Sequence, residues 1–365
     1  MKEKNLANKK VLVGMSGGVD SSVTAALLVS QGYDVTGAFM KQFSTDSNES
    51  EAKVLTGVCS WKEDRRDAMR VAAKLGIGLI TLDFEKEYRA WVMGYMFDEY
   101  KVGRTPNPDV MCNKYIKFGA WLEKIKELGF DFLATGHYAR VEYDTTKKHV
   151  LLQAKDDNKD QTYFLHQLNQ DQLAHTLFPI GEYTKDEVRD LAKKFDLPTA
   201  GRAESMGICF VGEVPMKAFL QQKIQPTPGE IMTSAGAVIG EHEGLSFYTI
   251  GQRHVLAQKG GDKPLFVVQK KFDENILVVG YEDDLLLFST ESVLRDMHWV
   301  SGAEPQLPFE CLVRMRHRQA FQKATIIKEA DQWKVVFEIP QRAVTPGQFC
   351  VCYKDGVCFG GGVVV

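Results

Sequence analysis

The chain lacks the features that mark membrane proteins, secreted proteins and uniformly basic nucleic-acid binders. No apolar run in it approaches the length of about 18 residues that a membrane-spanning helix needs. The first ten residues are polar and rich in lysine, without the apolar stretch of a signal peptide. Its seven cysteines form no C-x-x-C pair, and the net charge is −3. We therefore expect a cytoplasmic protein with reduced thiols and no membrane partner, in which any basic surface is local.

A glycine- and serine-rich segment, Gly14–Ser22 (GMSGGVDSS), follows the apolar run Val11–Val13. No lysine follows its glycines, so the segment is not the common mononucleotide P-loop, and its glycine spacing is not that of a G-x-G-x-x-G loop. Its glycines let the backbone approach a phosphate closely, and its serine hydroxyls add hydrogen-bond donors. A helix predicted from Ser21 to Gln31 turns its positive end towards the same place. The segment predicts an anion-binding site, and the alternative is a tight turn with a Ser or Asp cap.

The first half of the chain alternates strands and helices, which is typical of a parallel sheet covered by helices. The predicted strands are Val11–Val13, Asp34–Met40, Ile77–Phe84 and Phe132–Thr135, and the predicted later helices are Asp64–Leu75, Glu85–Lys101 and Asn113–Leu128. Ligands of such sheets bind at the carboxyl ends of the strands. We expect Gly14–Ser22, Met40 and Gly136-His137 to lie together there. A capping box at Thr184–Glu187 opens a further helix, to which we assign a structural role.

The composition changes near Gln222 and again near Asp283, and both changes indicate domain boundaries. Beyond the first boundary the chain consists of short β-rich runs, which we predict at Gly229–Ile239, Pro264–Lys270, Ile276–Gly280, Glu310–Arg316, Gln332–Phe337, Gln348–Tyr353 and Val357–Phe359. The predicted fold class is α/β. A parallel sheet with helices on both faces occupies residues 1–221, a small β-rich domain residues 222–284, and a β-barrel residues 285–365.

Two cysteines have neighbours that favour reactivity. Cys112 lies close to a predicted helix start, which together with Lys114 favours the thiolate form, whereas Asp109 opposes it. Cys209 follows Gly207, which permits a sharp turn that presents the sulfur. The alternative for both is a small buried hydrophobic side chain. We interpret the remaining cysteines as structural: Cys59, Cys311, Cys350, Cys352 and Cys358.

Three arginines near the C-terminus alternate along Arg314–Arg318 (RMRHR), which we predict to be a strand segment. Because alternate residues of a strand share a face, Arg314, Arg316 and Arg318 would present three cations together. Such a face suits the phosphate backbone of a nucleic acid, and the alternative is a solvated basic face.

Seven motifs follow one another along nearly the whole chain. In order they are GMSGGVDSSV (Gly14–Val23), TPNPDVMCNKYIKF (Thr105–Phe118), ATGHY (Ala134–Tyr138), KDQTYFL (Lys159–Leu165), MGICFVG (Met206–Gly212), YTIGQRH (Tyr248–His254) and PGQF (Pro346–Phe349). The first motif alone resembles the PP-loop of ATP pyrophosphatases. The ordered set resembles the tRNA-specific 2-thiouridylase family, which belongs to that superfamily.

The resemblance implies a reaction in two steps. ATP, with Mg²⁺, adenylates the O2 oxygen of the wobble uridine of tRNA, and the sulfur of a protein-bound persulfide then displaces AMP. The products are 2-thiouridine, AMP and pyrophosphate. A uracil oxygen is a poor leaving group until it is adenylated, and a persulfide is a good nucleophile. The implied partners are tRNA and a sulfur donor, either a cysteine desulfurase or a sulfur-relay protein.

The resemblance also implies roles for individual residues. Cys209 would carry the persulfide, Cys112 would help to release its sulfur and form a disulfide with Cys209, and Asp109 would be a general acid or base. ATP contacts are implied for Gly14, Met15, Ser16, Gly17, Gly18, Val19, Asp20, Ser21, Met40 and Gly136, with Asp20 also assisting the metal. Contacts with the target base or the tRNA are implied for Asn107, Pro108, Asp109, His137, Lys159, Asp160, Gln161, Arg316, His317 and Gln348. The family usually has Arg-Tyr where this chain has Arg316-His317.

Three alternatives remain open at this stage. A PP-loop ligase would adenylate a small substrate and add ammonia or an amine, which would leave both loop cysteines without a role. A nucleotide sensor would bind ATP without cleaving it. An iron–sulfur cluster on Cys112, Cys209 and a third ligand is the remaining alternative, although no further cysteine stands out as that ligand.

Overall fold

The computed structural model describes residues 9–44, 61–146, 148–203, 216–253 and 263–365. Cys59, Cys209 and His254 lie outside the described residues, as does the whole motif Met206–Gly212. The fold is α/β, with one parallel sheet and two further sheets. No helix within the described ranges is both long enough and apolar enough to cross a membrane.

The first sheet contains five parallel strands in the order β3-β2-β1-β4-β7. Strands of the first half of the chain are Lys10–Gly14 (β1), Asp34–Lys41 (β2), Gly78–Asp83 (β3), Phe132–Ala134 (β4), Arg140–Tyr143 (β5), His149–Leu152 (β6) and Thr176–Leu177 (β7). The three central residues of β1 are fully buried, because a parallel sheet between two layers of helices excludes water from both faces. All four strands predicted in this half are present.

Helices cover this sheet. They are Val19–Ser30 (α1), Trp61–Leu75 (α2), the run 85–101 (α3), the run 108–127 (α4), Thr162–Leu165 (α5), Gln170–Ala174 (α6), Lys185–Lys194 (α7) and Met216–Leu220 (α8). The runs α3 and α4 contain π-helical turns at Arg89–Met93 and Cys112–Ala120. The predicted capping box of α7 is present, since the Thr184 hydroxyl and the Glu187 carboxylate each accept the other's backbone N–H.

The helix that carries Cys112 begins earlier than predicted. The predicted helix begins at Asn113, but α4 starts at Pro108. Proline is favourable at the first helical position, where its missing N–H would have no intrahelical partner. The Asn107 side chain caps the same turn, with its Oδ1 atom 3.3 Å from the backbone nitrogen of Val110.

The remaining sheets are antiparallel or mixed. Their strands are Gly229–Thr233 (β8), Val238–His242 (β9), Phe266–Lys271 (β10), Ile276–Gly280 (β11), Phe288–Trp299 (β12), Phe309–Arg314 (β13), Gln322–Glu329 (β14), Gln332–Arg342 (β15), Phe349–Lys354 (β16) and Val357–Val364 (β17). The central sheet has the order β10-β11-β8-β9. A turn divides the run predicted at Gly229–Ile239 into β8 and β9.

The C-terminal sheet closes into a barrel of six strands in the order β12-β15-β14-β13-β16-β17, because β12 also pairs with β17. The thiols of Cys311, Cys350 and Cys352 are buried in its core. A hydrogen bond with Cys352, and then burial, raise the pKa of Cys311. Cys311 is therefore a protonated packing group, and the burial of all three thiols agrees with the structural role predicted for them.

Two strands from the first half of the chain extend the barrel sheet. β6 pairs with β17, through Leu152 opposite Val357 and Leu151 opposite Cys358, and β5 pairs with β6. The sequence analysis did not anticipate this pairing. Its partners are separated by about half the chain, and strand pairing over such a distance leaves no local pattern in the sequence.

A buried carboxylate connects α3 with the barrel. Glu99, whose side chain is 8% exposed, accepts hydrogen bonds from Arg104 at 2.6 and 2.9 Å and from Arg295 of β12 at 3.0 Å. Burial alone would raise the pKa of Glu99, but the hydrogen bond from Arg104 and the charge of Arg295 outweigh it and hold the pKa below its usual value. Glu99 therefore stabilises the fold at neutral pH, and this contribution is lost as the pH falls through its folded-state pKa.

We predict that Glu99→Ala lowers the free energy of unfolding by about 2 kcal/mol, because it leaves two guanidinium groups without their shared partner. The estimate is below that for a fully buried pair because Arg104 and Arg295 are each more than a third exposed. The matched control is Asp190→Ala, which removes the exposed Asp190–Lys193 pair and is expected to cause no measurable change. Urea unfolding of both variants tests the prediction, and equal effects would contradict it.

Candidate functional site

The loop between β1 and α1 has the backbone of an anion-binding site. Gly17 has a positive φ of 79°, and a Cβ atom there would collide with the carbonyl oxygen of Asp64. The N-cap of α1 is Gly18, which makes no side-chain capping bond. The first N–H groups of α1 therefore face the loop without a side-chain acceptor, an arrangement that suits a phosphate.

The loop serines hold one another in place. The Ser16 N–H lies 3.2 Å from Ser21 Oγ, and the two hydroxyls are 3.3 Å apart. The Ser22 hydroxyl donates to the Gly18 carbonyl at 2.7 Å. The shape of the loop is thus maintained by its own side chains.

Asp20, in the first turn of α1, is held by two side chains from other elements. The ammonium group of Lys185 donates to both its carboxylate oxygens, at 2.7 and 2.9 Å, and the Tyr138 hydroxyl donates to Oδ1 at 3.0 Å. The Lys185 side chain is only 11% exposed. The sequence analysis missed Lys185 and gave its helix a structural role. A lysine in the first turn of a helix, where acidic residues are favoured, was the available signal.

The expected grouping at the sheet edge is present. β4 leads to Gly136, where a Cβ atom would lie 2.8 Å from the Ser21 nitrogen and 2.9 Å from the Asp20 carbonyl carbon. Met40, 3% exposed, lies near the carboxyl end of the neighbouring strand β2. The loop between β1 and α1, Met40 and Gly136 therefore share one edge of the sheet.

Arg202 is a second residue that the sequence analysis missed. Its guanidinium donates to the Gly17 carbonyl at 2.9 Å and to Asp67 Oδ2 at 2.8 Å, and it also binds Asp64. Both carboxylates belong to α2. Because Arg202 bridges α2 and the loop, it fixes the loop carbonyl at the position where the backbone turns.

Cys112 lies inside the protein, in the second turn of α4, and is fully buried. Its thiol contacts Gln42, just beyond β2, with Sγ 3.8 Å from the side-chain oxygen Oε1. Lys114 donates to Gln167 Oε1 at 3.0 Å. Because Cys209 is outside the described residues, its predicted pairing with Cys112 stays a prediction.

The loop before α4 is held by the barrel. Gln348 donates from Nε2 to the carbonyl oxygens of Thr105, at 2.8 Å, and Pro106, at 3.2 Å. The Thr105 N–H donates in return to the Pro346 carbonyl at 2.8 Å. The motifs Thr105–Phe118 and Pro346–Phe349, which are far apart in sequence, therefore form one contact that positions the start of α4.

His137 is buried between the rings of Phe118 and Phe178. Burial, and then the charge of Lys117, hold the pKa of His137 well below its usual value, so the imidazole is neutral. The Lys117 ammonium lies 3.5 Å from Nε2 and can only donate. The proton is therefore assigned to Nδ1, which donates to Thr135 Oγ1 at 2.8 Å.

The predicted face of three arginines is wrong. β13 ends at Arg314, and the chain then turns, with a positive φ of 63° at Arg318. Arg314 is 8% exposed and stacks on the Phe321 ring at 3.8 Å. The Arg316 guanidinium donates to Thr345 Oγ1 at 2.7 Å and to two backbone carbonyls. The pattern of alternation could not reveal where the strand stops.

Asp160 also departs from the expectation. It is 1% exposed and accepts hydrogen bonds from Thr162 Oγ1 at 2.7 Å and from the Ala154 N–H at 3.1 Å, with Arg314 at 3.4 Å. Burial raises the pKa of Asp160 despite these partners. We therefore correct the implied tRNA contact of Asp160 to a structural role that joins the segment before α5 to the barrel.

Other residues with an implied tRNA or base contact are partly accessible: Asn107, Pro108, Asp109, Lys159, Gln161, His317 and Gln348. The His317 ring lies 4.5 Å from the Phe164 ring, and burial lowers the pKa of His317 to about 4. Within the parts of the chain that the structure describes, no group of three or more His, Cys, Asp or Glu could hold a metal ion. Asp20 offers carboxylate oxygens, which are the ligands that Mg²⁺ prefers.

Comparisons with known proteins agree with this organisation. Three family models match: a tRNA methyl transferase HUP domain over residues 9–213, a tRNA methyl transferase PRC-barrel domain over 217–281, and an aminomethyltransferase beta-barrel domain over 289–364. Among solved structures, an NMN synthetase from Francisella tularensis is similar at 17% identity over 59% of this chain and 69% of that chain, with a TM-score of 0.32. That similarity is too low to support an argument.

Curated relatives are similar over almost their whole length. The tRNA-specific 2-thiouridylase MnmA of Listeria monocytogenes is 48% identical over 363 residues, which are 99% of this chain and 95% of that protein. The tRNA-specific 2-thiouridylase MnmA 2 of Geobacillus kaustophilus is 49% identical over 359 residues, 97% and 94% of the two chains. With the parallel sheet, the central domain and the closed barrel all present, the chain belongs to the tRNA-specific 2-thiouridylase family.

Proposed function

We propose that this protein is an ATP-dependent tRNA-uridine 2-sulfurtransferase that converts the wobble uridine of tRNA to 2-thiouridine. The observation that carries the proposal is the short connection between its two chemical centres. Met40 lies at the edge of the sheet that carries the β1–α1 loop. Gln42 contacts the Cys112 thiol and follows Met40 after one intervening residue at the end of β2. An atom activated by ATP and a thiol would therefore meet at the same edge.

ATP is the substrate that the β1–α1 loop fits best. The phosphates would be bound by the N–H groups of the loop and of the first turn of α1, which lack a side-chain acceptor at Gly18. Met40 and Gly136 would contact the adenosine end. Asp20 would hold Mg²⁺, which neutralises phosphate charge when bound. Lys185 and Tyr138 orient the Asp20 carboxylate until then.

The sulfur step assigns complementary roles to two thiols. The terminal sulfur of a Cys209 persulfide attacks C2 of the adenylated uridine, and AMP leaves with the former O2 oxygen. The Cys112 thiolate then attacks the Cys209 sulfur, which breaks the sulfur–sulfur bond and leaves the sulfur on the base. The product of this attack is a Cys112–Cys209 disulfide, which an external thiol must reduce before the next turnover. Asp109 would transfer the proton at the base.

The tRNA anticodon loop would enter between the α4 start and the barrel. Its wobble base is single-stranded, so displacing it costs less than flipping a base out of a duplex. Asn107, Pro108 and Asp109 would contact that base, and Gln348 would act by holding their loop. The other tRNA contacts are assigned to His137, Lys159, Gln161, Arg316 and His317. The sulfur would come from a cysteine desulfurase or a sulfur-relay protein, and the reaction would take place in the cytoplasm.

We predict that Cys112→Ser and Cys209→Ser each lower the formation of 2-thiouridine at least about 100-fold, because each removes a nucleophile. The assay combines ATP, Mg²⁺, a persulfide donor and unmodified tRNA, followed by nucleoside analysis. AMP formation by Cys209→Ser is expected to continue. The control is Cys311→Ala, which removes a barrel thiol. Thiolation by the double variant at the wild-type rate would contradict the proposal and favour a ligase.

We predict that Lys185→Met lowers tRNA-dependent AMP formation about 100-fold, since the Asp20 carboxylate loses the cation that orients it. Lys193→Met is the matched control, because Lys193 is in the same helix but its side chain is 69% exposed and pairs only with Asp190 among the contacts described. Release of labelled AMP from ATP measures both variants. A similar loss in both would indicate a defect of α7 as a whole.

A further inference from the structure

The Gln42 side chain is buried beside the Cys112 thiol and has one end without a partner. Gln42 is 1% exposed, and its Oε1 atom is 3.8 Å from Cys112 Sγ. Its Nε2 atom makes no hydrogen bond to any residue that the structure describes. A buried amide donor without a hydrogen-bond partner is unfavourable, so Nε2 is available to a partner that none of the described contacts supplies.

The backbone around Gln42 is fixed by other residues. The Ser44 hydroxyl donates to Glu85 Oε2 at 2.8 Å, and the Arg89 guanidinium donates to the Ser44 carbonyl at 2.8 Å. Phe43 is 1% exposed, with Arg89 over its ring at 4.8 Å. These contacts, and not the Gln42 amide, hold the segment that follows β2. Among the residues that the structure describes, the amide makes its hydrogen bond with the thiol alone.

A reacting thiol needs a neighbour whose hydrogen-bonding role can reverse. A protonated thiol donates its S–H, whereas a thiolate only accepts. An apolar neighbour serves neither form, and an ionised carboxylate serves only the first. A primary amide serves both, because a half-turn about its last side-chain bond exchanges its oxygen and nitrogen without moving any other atom.

We propose that Gln42 is a positioning residue for the Cys112 sulfur. Its Oε1 atom accepts the S–H in the resting protein, and its Nε2 atom donates to the sulfur once the proton has left. This role accounts for both polar atoms of the amide. Oε1 contacts the thiol in the resting protein, and Nε2 is the donor for the thiolate. The inference rests on the proposed function, in which Cys112 attacks as a thiolate.

The test compares Gln42→Met, which keeps the length of the side chain but removes the amide, with the matched control Gln341→Met. Gln341 is a similarly buried glutamine, 5% exposed, whose contacts lie within the barrel. The first measurement is the rate at which methyl methanethiosulfonate modifies Cys112 in the free protein, read from its peptide by mass spectrometry. The rate at which Cys358 is modified, measured in the same digest, is the reference.

We expect Gln42→Met to slow modification of Cys112 about tenfold and to leave Cys358 unchanged, because the thiolate loses its donor. The second measurement is single-turnover thiolation of tRNA, where we expect a similar loss with AMP formation and the KM for ATP unchanged. A structural defect would instead lower all of these together.

The outcomes separate this inference from the proposed function. Modification of Cys112 at the wild-type rate in Gln42→Met would overturn the inference, as would equal slowing in Gln341→Met. Slower modification with unchanged thiolation would support the role of Gln42 and contradict the catalytic role of Cys112. Loss of thiolation in Cys112→Ser with normal Cys112 reactivity in Gln42→Met would leave the proposed function intact and reject Gln42.

Discussion

The site depends on the close approach of Gly136 to the first turn of α1. The space between them admits no side-chain carbon, so the end of β4 and the start of α1 pack backbone against backbone. This packing brings the Tyr138 hydroxyl to the Asp20 carboxylate. Lys185 completes the arrangement from a separate helix. The β1–α1 loop, Tyr138 and Lys185 form one site because a glycine at position 136 lets two elements meet.

The thiol half of the site depends on the barrel in a comparable way. The start of α4 carries Asp109 and Cys112, and the Gln348 side chain donates hydrogen bonds to two backbone carbonyls of the loop before it. The motifs Thr105–Phe118 and Pro346–Phe349, for which the family resemblance implies substrate contacts, therefore also hold each other in place. The buried Asp160–Arg314 pair belongs to the same junction. Residues at such a junction hold the loop before α4 and the segment before α5 against the barrel.

The sequence predicted the parts of the fold that have a local pattern and missed those that depend on distant partners. The apolar strands of the parallel sheet and the capping box of α7 were predictable, because periodicity and capping act within a few residues. β12 and β14 mix polar and apolar residues and were missed. In the site, the grouping of the β1–α1 loop with Met40 and Gly136 was predictable, because each lies at the carboxyl end of a predicted strand. Lys185, Arg202 and Gln42 did not, because only the tertiary fold brings them to the loop or the thiol.

The hairpin of β5 and β6 has a mechanical consequence. Since β6 is hydrogen-bonded to β17, a segment from the first half of the chain is part of the barrel sheet, and moving the barrel away from that segment would break these hydrogen bonds. Under the proposed function, an RNA that binds near a connection held in this way would have to deform itself to expose its base, which would favour strands that are easy to deform.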